Sequence, residues 1–361
     1  MDIMKAGLAE KFFVRLQKPS LKTKVNFFRL LAVSQRAGLG LRDSLVAIHA
    51  SEHQRWMRVI LTDLIDQLTQ WVGLWLAMSN HPYFFAADEI ALVKSSELTG
   101  SMPDVLQDIA LELENIQLIS QKIMKAITYP AVLVLFSFVA IVILLIYVVP
   151  TIVSLFPEQS SLPSITLFVL DASAFVQSYW TIGLVLLFWL LALVRFAYAH
   201  ILPFTMLVDK LILLVPGISG VVKAFYMYRF SKLLSQFSQA GLNSVISLQL
   251  LQQIFQNYYY KQKMYHVEQN IENGFGFAES LENSPLFDPI LVQIISVGEK
   301  TGNVGTILQS VSLYYHTLLD TKLSILMTLL EPILMILVAG LIGVIVASIY
   351  LPMADLVNVI Q

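Results

Sequence analysis

Two histidines on either side of a glutamate mark one place where this 361-residue chain could perform chemistry. His49, Glu52 and His53 match the H-x-x-E-H pattern of inverted zinc peptidases, in which two histidines share a metal and the glutamate acts as the base. The pattern is short, and its spacing fixes no distal acidic ligand. Gln252 and Phe255 stand near the corresponding positions in a second copy of this region. The sequence therefore favours an exposed polar helix face over a zinc site.

Two glycine-containing segments resemble nucleotide-binding loops but are incomplete. Gly298–Thr301 ends like a phosphate-binding loop, but the G-x-x-x-x-G-K-[ST] pattern needs glycine where Ile294 and Glu299 stand. Gly274–Gly276 follows no predicted strand, so we interpret it as a turn between helices. We therefore predict no nucleotide site, no metal site, no other cofactor and no catalytic residues.

The composition excludes several classes of function. The chain has no cysteine, so it has no structural disulfide, thiolate metal site or cysteine nucleophile. Its formal net charge of -2 argues against a nucleic-acid partner, which would need a concentrated basic face. Hydrophobic residues make up 57% of the chain and charged residues only 13%, against about 25% charged in soluble proteins. This balance predicts an integral membrane protein.

The chain contains a tandem duplication. A Glu-x-Thr-Gly motif and a later proline both return after 202 residues. The repeated residues are Glu97, Thr99, Gly100 and Pro130 in the first copy, and Glu299, Thr301, Gly302 and Pro332 in the second. In each copy the motif is typical of a helix end, where glycine takes the left-handed position and a new helix follows. We therefore predict that Gly100 and Gly302 both have positive φ.

A second turn is repeated at an offset of 203, so a single-residue deletion separates the two motifs. Its residues are Ala37, Gly38 and Leu39 in the first copy, and Ala240, Gly241 and Leu242 in the second. Gly73 maps onto Gly276 at the same offset. Apolar residues between these turns recur at helical spacing, and no segment alternates as a strand would. The sequence thus predicts an all-α fold with two equivalent domains of about six helices each.

Each copy ends in about 20 uncharged residues, which as a helix would cross the ~30 Å hydrocarbon core. Pro130 and Pro332 mark the starts of these two spans, and a third apolar stretch lies between them. The predicted order is a basic N-terminal segment 1–24, helical domain 25–128, span 129–150, loop 151–178, span 179–199, helical domain 200–330, span 331–352 and tail 353–361.

The basic segment 1–24 is not followed by the apolar core of a signal peptide, so we do not expect it to be one. It is either a solvated helix or a helix lying on membrane lipid.

The basic residues are confined to two regions of the chain. All 23 lysines and arginines lie before the first span or between Arg195 and Lys322. The positive-inside rule then places the N-terminus and both helical domains in the cytoplasm, and the 151–178 loop and the C-terminus outside. The sequence thus predicts a multi-pass membrane protein whose two helical domains lie in the cytoplasm.

The predicted spans carry little that a transporter or intramembrane protease would use. The ionisable residues in or near them are Arg195, one turn from the inner end of the second span, Glu331, at an inner edge of the third, and Asp171, outside the second span. Such enzymes and carriers generally need ionisable groups at mid-depth. Ala339, Gly343 and Ala347 instead form a stripe of small residues that allows close helix packing.

These features together resemble the type II secretion system F family. The residues that carry the resemblance are the doubled Ala-Gly-Leu and Glu-x-Thr-Gly turns, the Tyr129-Pro130 and Glu331-Pro332 pairs, and Leu214–Gly220 before the second domain. The family comprises inner-membrane platform proteins of type IV pilus assembly and type II secretion. The resemblance therefore implies a location in the bacterial inner membrane.

The resemblance implies a scaffold without enzymatic activity that couples a hexameric assembly ATPase to the polymerisation of pilin or pseudopilin subunits. A retraction ATPase, other inner-membrane assembly proteins and further copies of the chain are additional implied partners. Two alternatives remain, a component of a polytopic small-molecule transporter and a membrane-bound zinc peptidase at His49 and His53.

Overall fold

The computed structural model describes residues 20–148, 150–151, 163–282 and 284–360. All regular secondary structure in these ranges is helical, which confirms the predicted all-α class. The predicted N-terminal segment 1–24 lies almost entirely outside them. The chain forms two compact units. The bundle unit joins residues up to Gln121 with Asp209–Asp320, and the span unit joins Lys122–Val208 with the chain from Thr321 onward.

Six helices in the same order occur in each half of the chain, as the duplication predicts. The first six are α1 (Leu21–Arg36), α2 (Leu41–Ser51), α3 (Arg55–Thr69), α4 (Leu74–Ser79), α5 (Ala87–Thr99) and α6 (Met102–Ile143), and a π-helix (Leu144–Val148) follows α6. The next two are α7 (Ser164–His200) and α8 (Leu202–Leu214). The second six are α9 (Ile218–Gln239), α10 (Ser244–Ile254), α11 (Tyr258–Glu272), α12 (Phe277–Leu281), α13 (Pro289–Thr301) and α14 (Val304–Ile360).

An aromatic pair fixes the packing of both bundles in the same way. Phe27 on α1 meets Phe84 with ring centroids 6.0 Å apart and planes at 80°. Phe230 and Phe287, their counterparts in the second copy, meet at 5.1 Å and 75°. Edge-to-face contacts of this kind add to the large apolar area that such rings bury. The repeated phenylalanines thus form the same contact in both cores.

The repeated Ala-Gly-Leu turns end α1 and α9 with the same hydrogen bonds. Gly38 and Gly241 have φ of 84° and 77°. The amide of Leu39 donates to the Ser34 carbonyl, and the amide of Leu242 donates to the Phe237 carbonyl. This is the Schellman arrangement, which satisfies carbonyls at a helix end and requires a left-handed residue that glycine supplies without strain.

Three helices are long and apolar enough to cross a membrane, as predicted. The candidate spans are Met102–Val148, Ser164–Gly183 and Val304–Ser348. A fourth candidate span would result if two consecutive helical segments that meet at a bend of 102° were counted as one span. These segments are Phe188–His200 and Leu202–Leu214.

The second of these helices begins before residue 179, where a span was predicted to start. Helix α7 begins at Ser164, so residues 164–178 are helical, although we predicted that they belong to a loop. Asp171 therefore lies within a candidate span and not outside one. The reason is local, because residues 164–178 contain no proline or glycine to end a helix and many apolar residues. The 37 residues of α7 extend about 55 Å, which exceeds the thickness of a hydrocarbon core.

The two repeated prolines, which were predicted to mark the starts of two spans, do not coincide with the start of a helix. Pro130 lies inside α6, a helix of 42 residues, and Pro332 lies inside α14, a helix of 57 residues. Proline removes one backbone hydrogen bond, but helices tolerate it at membrane depth where neighbouring groups compensate. Both helices therefore run without a break from the bundle unit into the span unit. Helix α14 also continues to Ile360, past the predicted end of its span at residue 352.

Side chains of α7 bind backbone carbonyls of the other two candidate spans. Thr166 donates to the Ser348 carbonyl at 2.8 Å, and Ser173 donates to the Leu145 carbonyl. Gln177 donates to the Ile146 carbonyl at 3.4 Å, so the π-helix receives two side-chain donors. Leu145, Val169 and Ile345 form a small apolar core.

The stripe of small residues predicted to pack helices faces away from this core. Ala339 and Gly343 are exposed, and Ala347 is only half-buried. A Cβ added at Gly343 would meet no atom within 4 Å among the described residues. Within the described part of one chain, α14 therefore packs through Ile345 and Ser348 and not through the stripe.

Candidate functional site: the repeated turns and the interface between the bundles

Glu299 of the second repeated motif ties the end of α13 to the start of α12. Its Oε1 accepts a hydrogen bond from the amide of Phe277, and its Oε2 accepts one from the amide of Ala278 at 2.9 Å. The first amides of a helix have no partner within the helix, so a carboxylate stabilises them by hydrogen bonding and by charge. Glu299 thus acts as a helix cap, and both of its oxygens are engaged.

Glu97 performs the same task in the first copy, and its position explains the repeated glycine. Its Oε1 accepts from the amide of Trp75, near the start of α4, at 3.3 Å. A Cβ added at Gly73 would lie 2.6 Å from Glu97 Oε2, and one added at Gly276 would lie 3.6 Å from Glu299 Oε2. The glycine before each short helix lets the carboxylate approach, with much less room in the first copy.

We expect Gly73→Ala to destabilise the chain and Gly276→Ala to leave its stability nearly unchanged or slightly raised. Both glycines have ordinary φ, of -60° and -67°, so alanine introduces no backbone strain at either. At Gly73 the new methyl group would push the Glu97 carboxylate off the Trp75 amide, at a cost of about 1–2 kcal/mol. Thermal unfolding of the two variants in detergent tests this difference, and equal losses would contradict it.

The threonine and glycine of each motif complete the turn. Gly100 and Gly302 have φ of 73° and 67°, which confirms the prediction of positive φ. The Thr99 hydroxyl donates to the Ser95 carbonyl at 3.1 Å, and the Thr301 hydroxyl donates to the Val297 carbonyl at 3.0 Å. The motif therefore caps one short helix, ends a second and sets where α6 or α14 begins.

A buried carboxylate joins the two bundles. Glu112 of α6 accepts a hydrogen bond from the Tyr228 hydroxyl at 2.9 Å, and its other oxygen lies 3.4 Å from Arg229 Nη1. Glu112 and Tyr228 are only 5% and 3% exposed. Burial, followed by the charge of Glu112, raises the pKa of Tyr228, so its hydroxyl remains a donor. The three side chains form a charged contact between α6 and α9 that is shielded from water.

A second contact lies on the same boundary between bundles. The Ser95 hydroxyl of α5 donates to the carbonyl of Ala240, the first residue of the repeated turn after α9. Helix α5 also packs against α10. One of the repeated turns predicted from the sequence therefore contributes directly to the joint between the two copies.

Sequence reasoning did not identify Glu112, Tyr228 or Arg229. The signal that could have found them is a difference between the two copies. The residue of the second copy that corresponds to Glu112 is Tyr314, at an offset of 202, and the residue of the first copy that corresponds to Tyr228 is Val25, at an offset of 203. A polar residue on one copy and a different residue on the other is expected where the two copies contact one another.

The residues considered for zinc chemistry do not come together. His49 Nε2 lies 3.3 Å from the Thr62 hydroxyl. Burial, and then the charge of Arg58, lowers the pKa of His49. Across the described part of the chain, no group of three histidine, aspartate or glutamate side chains could hold a metal ion.

The comparisons with known proteins agree on one family. The family model described as "Type II secretion system (T2SS), protein F" matches residues 27–150 and 230–352, which together make up more than half of the chain. The two matched segments correspond to the two copies of the duplication.

Several curated proteins resemble the chain over nearly its whole length. It is 26% identical to a type IV pilus assembly protein PilC of Pseudomonas aeruginosa, over 92% of this chain and 90% of that protein. It is 27% identical to a type II secretion system protein F of Vibrio cholerae, over 92% and 82%. It is 26% identical to a type IV pilus assembly protein PilC of Thermus thermophilus, over 95% and 84%. With its doubled helical bundle, its repeated turns and its candidate spans, the chain belongs to the type II secretion system F family.

Proposed function

We propose that this chain is the inner-membrane platform of a type IV pilus or type II secretion machine. It would couple an assembly ATPase in the cytoplasm to the polymerisation of pilin or pseudopilin subunits in the membrane. The observation that carries the proposal is the match of both copies to a family whose relatives are named for pilus assembly and secretion. In this proposal the chain works as a scaffold and has no enzymatic activity.

The continuity of two helices supports a mechanical role. Helices α6 and α14 each contribute residues to the bundle unit and to the span unit without interruption. A movement imposed on the bundles by a docked motor would therefore be transmitted along a helix into the membrane. The repeated Glu-x-Thr-Gly turns set the first residue of both helices. They would therefore fix where each helix begins relative to its bundle.

The orientation follows from the sorting of basic residues and can be tested by reporter fusions. We expect a reporter that is active only outside the cytoplasm to work within residues 158–163, before α7, or after Pro352, and to fail after residue 110 or 265. The physical reason is that all 23 basic residues flank the proposed cytoplasmic side. Activity of the fusion at 265 would overturn the proposed orientation and the assignment of three spans.

Reconstitution tests the coupling itself. We expect vesicles that contain the full chain to bind the hexameric assembly ATPase of the same system and to raise its turnover, while the chain alone hydrolyses no ATP. Empty vesicles with the ATPase provide the control. ATP hydrolysis by the chain alone, or equal ATPase binding to both kinds of vesicle, would contradict the platform function.

Further partners belong to the same proposal. A retraction ATPase would dock on the same cytoplasmic bundles, and pilin subunits and other assembly proteins would contact the spans. The stripe of Ala339, Gly343 and Ala347, of which the first two are exposed, would pack against another copy of the chain or another span. The alternative of a transporter component predicts solute uptake by vesicles that contain the chain alone.

A further inference from the structure

Helix α8 presents its apolar side outward and its acidic side inward. Leu207, Leu211 and Leu214 are 54%, 51% and 64% exposed. At about 100° per residue these three leucines fall within one narrow stripe. Asp209 lies on the opposite side of the helix and is only 1% exposed. A helix on the surface of a soluble domain has the reverse pattern.

The inward side of α8 is held to the second bundle by hydrogen bonds. Asp209 Oδ2 accepts from the amide of Tyr258 at 2.7 Å, at the start of α11. The Asp209 carbonyl lies 3.5 Å from the side-chain amide of Asn257, which is itself the N-cap of α11. These contacts fix the rotation of α8 about its axis, so the leucine stripe is kept facing away from the bundle.

The position of α8 in the chain places it directly after α7, the helix that contains the candidate span Ser164–Gly183. It follows His200, the last residue of α7, after a single residue, and turns by 102°. Its 13 residues extend about 20 Å, too short to cross a ~30 Å hydrocarbon core. It also lies between the segments that match the family model, 27–150 and 230–352.

We propose that α8 is an interfacial helix whose leucine stripe rests in the headgroup region of the phospholipid leaflet next to the bundle unit. Continuity with α7 supports this occupant, because a chain leaving a membrane helix at a near-right angle runs along the surface. Two exposed basic residues provide positive charges that anionic headgroups attract. They are Lys210, beside the leucine stripe, and Arg195, in the last turns of α7. Such a helix would serve the chain in any membrane role, as a platform or otherwise.

Single cysteines provide a direct test because the natural chain has none. An environment-sensitive fluorophore is attached to each of three single-cysteine variants, Leu207→Cys, Leu211→Cys and Leu214→Cys. Each labelled full chain is then reconstituted in vesicles of phosphatidylcholine and phosphatidylglycerol. Leu98→Cys is the matched water-exposed control, since Leu98 is an 83% exposed leucine on α5. Phe188→Cys is the deep control, since Phe188 is 74% exposed on the apolar helix α7. Iodide quenches from water, and nitroxide lipids quench from near the headgroup or near the acyl-chain end.

We expect all three α8 labels to be shielded from iodide several-fold relative to Leu98, and to be quenched best by the shallow nitroxide. Iodide access equal to that of Leu98 would overturn the proposal, since the face would then lie in water. Quenching by the deep nitroxide equal to that of Phe188 would overturn it in favour of a re-entrant segment. Shielding from iodide and from both lipid quenchers would overturn it in favour of a protein partner. Three independent positions keep the test valid if one labelled variant fails to fold.

Discussion

Replacing Glu112 by alanine is expected to lower the free energy of unfolding of the bundle unit by about 3–5 kcal/mol. Glu112 is the shared acceptor for Tyr228 and Arg229, and the side chains of Glu112 and Arg229 are only 7% and 12% exposed. Its removal would leave a guanidinium buried without its counter-charge and a tyrosine hydroxyl without its acceptor. Burial of an unpaired charge is among the most costly changes a single substitution can make.

A matched control lies one half-turn further along the same helix. Glu114 pairs with Arg29, but their side chains are 39% and 47% exposed and both belong to the first bundle. Ion pairs exposed to water contribute roughly 0–1 kcal/mol, so Glu114→Ala should change the thermal midpoint little. Tyr228→Phe removes one hydrogen bond from the buried cluster and should cost about 1 kcal/mol.

A double variant separates the loss of the charge pair from the loss of packing. Because the main cost of Glu112→Ala is the stranded guanidinium, Glu112→Leu combined with Arg229→Met should be more stable than either single variant. Guanidinium or thermal unfolding of the purified chain in detergent measures all of these variants. Additive losses in the double variant would show that the buried pair is not coupled, and equal losses for Glu112→Ala and Glu114→Ala would contradict its role in joining the bundles.

Changing Gly302 to valine is expected to cost on the order of 1–3 kcal/mol and to disrupt the turn between α13 and α14. Gly302 has φ of 67°, a region that a β-branched residue strongly avoids. The turn sets the first residue of α14, which runs on to Ile360. We therefore expect the variant to lose assembly activity as well as stability, in excess of what its change in thermal midpoint alone would suggest.

The controls for Gly302 test backbone strain specifically. Gly302→Asn should recover much of the stability, because asparagine tolerates the left-handed region better than other residues. Lys300→Val places the same side chain at a nearby exposed site on α13 without positive φ, and should change stability by no more than about 0.5 kcal/mol. A valine at 302 as harmless as the valine at 300 would contradict the assignment of strain.

The features predicted correctly from the sequence are those that depend on local chemistry or on repetition. The positive φ of Gly100 and Gly302 follows from a helix ending in Thr-Gly. The matching helix order follows from the duplication, since two copies of one pattern bury the same positions. The phenylalanine pairs of the two cores are a direct consequence of this.

The features that the sequence did not predict depend on contacts between distant segments. The interface at Glu112 breaks the repeat, and nothing near Glu112 in the chain indicates that Tyr228 and Arg229 will surround it. The role of Glu97 and Glu299 as caps of α4 and α12 was also missed, because each glutamate acts on a helix about two dozen residues earlier in the chain. The start of α7 at Ser164 is an exception, because its signal is local and lies in the absence of proline and glycine from residues 164–178.

The π-helix at Leu144–Val148 has a geometric consequence for the two duplicated spans. A π-helix contains an additional residue in its turn, which rotates every later side chain by about 100° relative to an uninterrupted α-helix. The equivalent residues of the second copy, 346–350, are α-helical. The side chains of the first and third candidate spans therefore follow the same helical phase after Pro130 and Pro332 and differ in phase by Val148. The equivalence of the two copies that holds in the bundles is therefore broken within the spans, and around the π-helix the two spans offer different faces to whatever lies beside them.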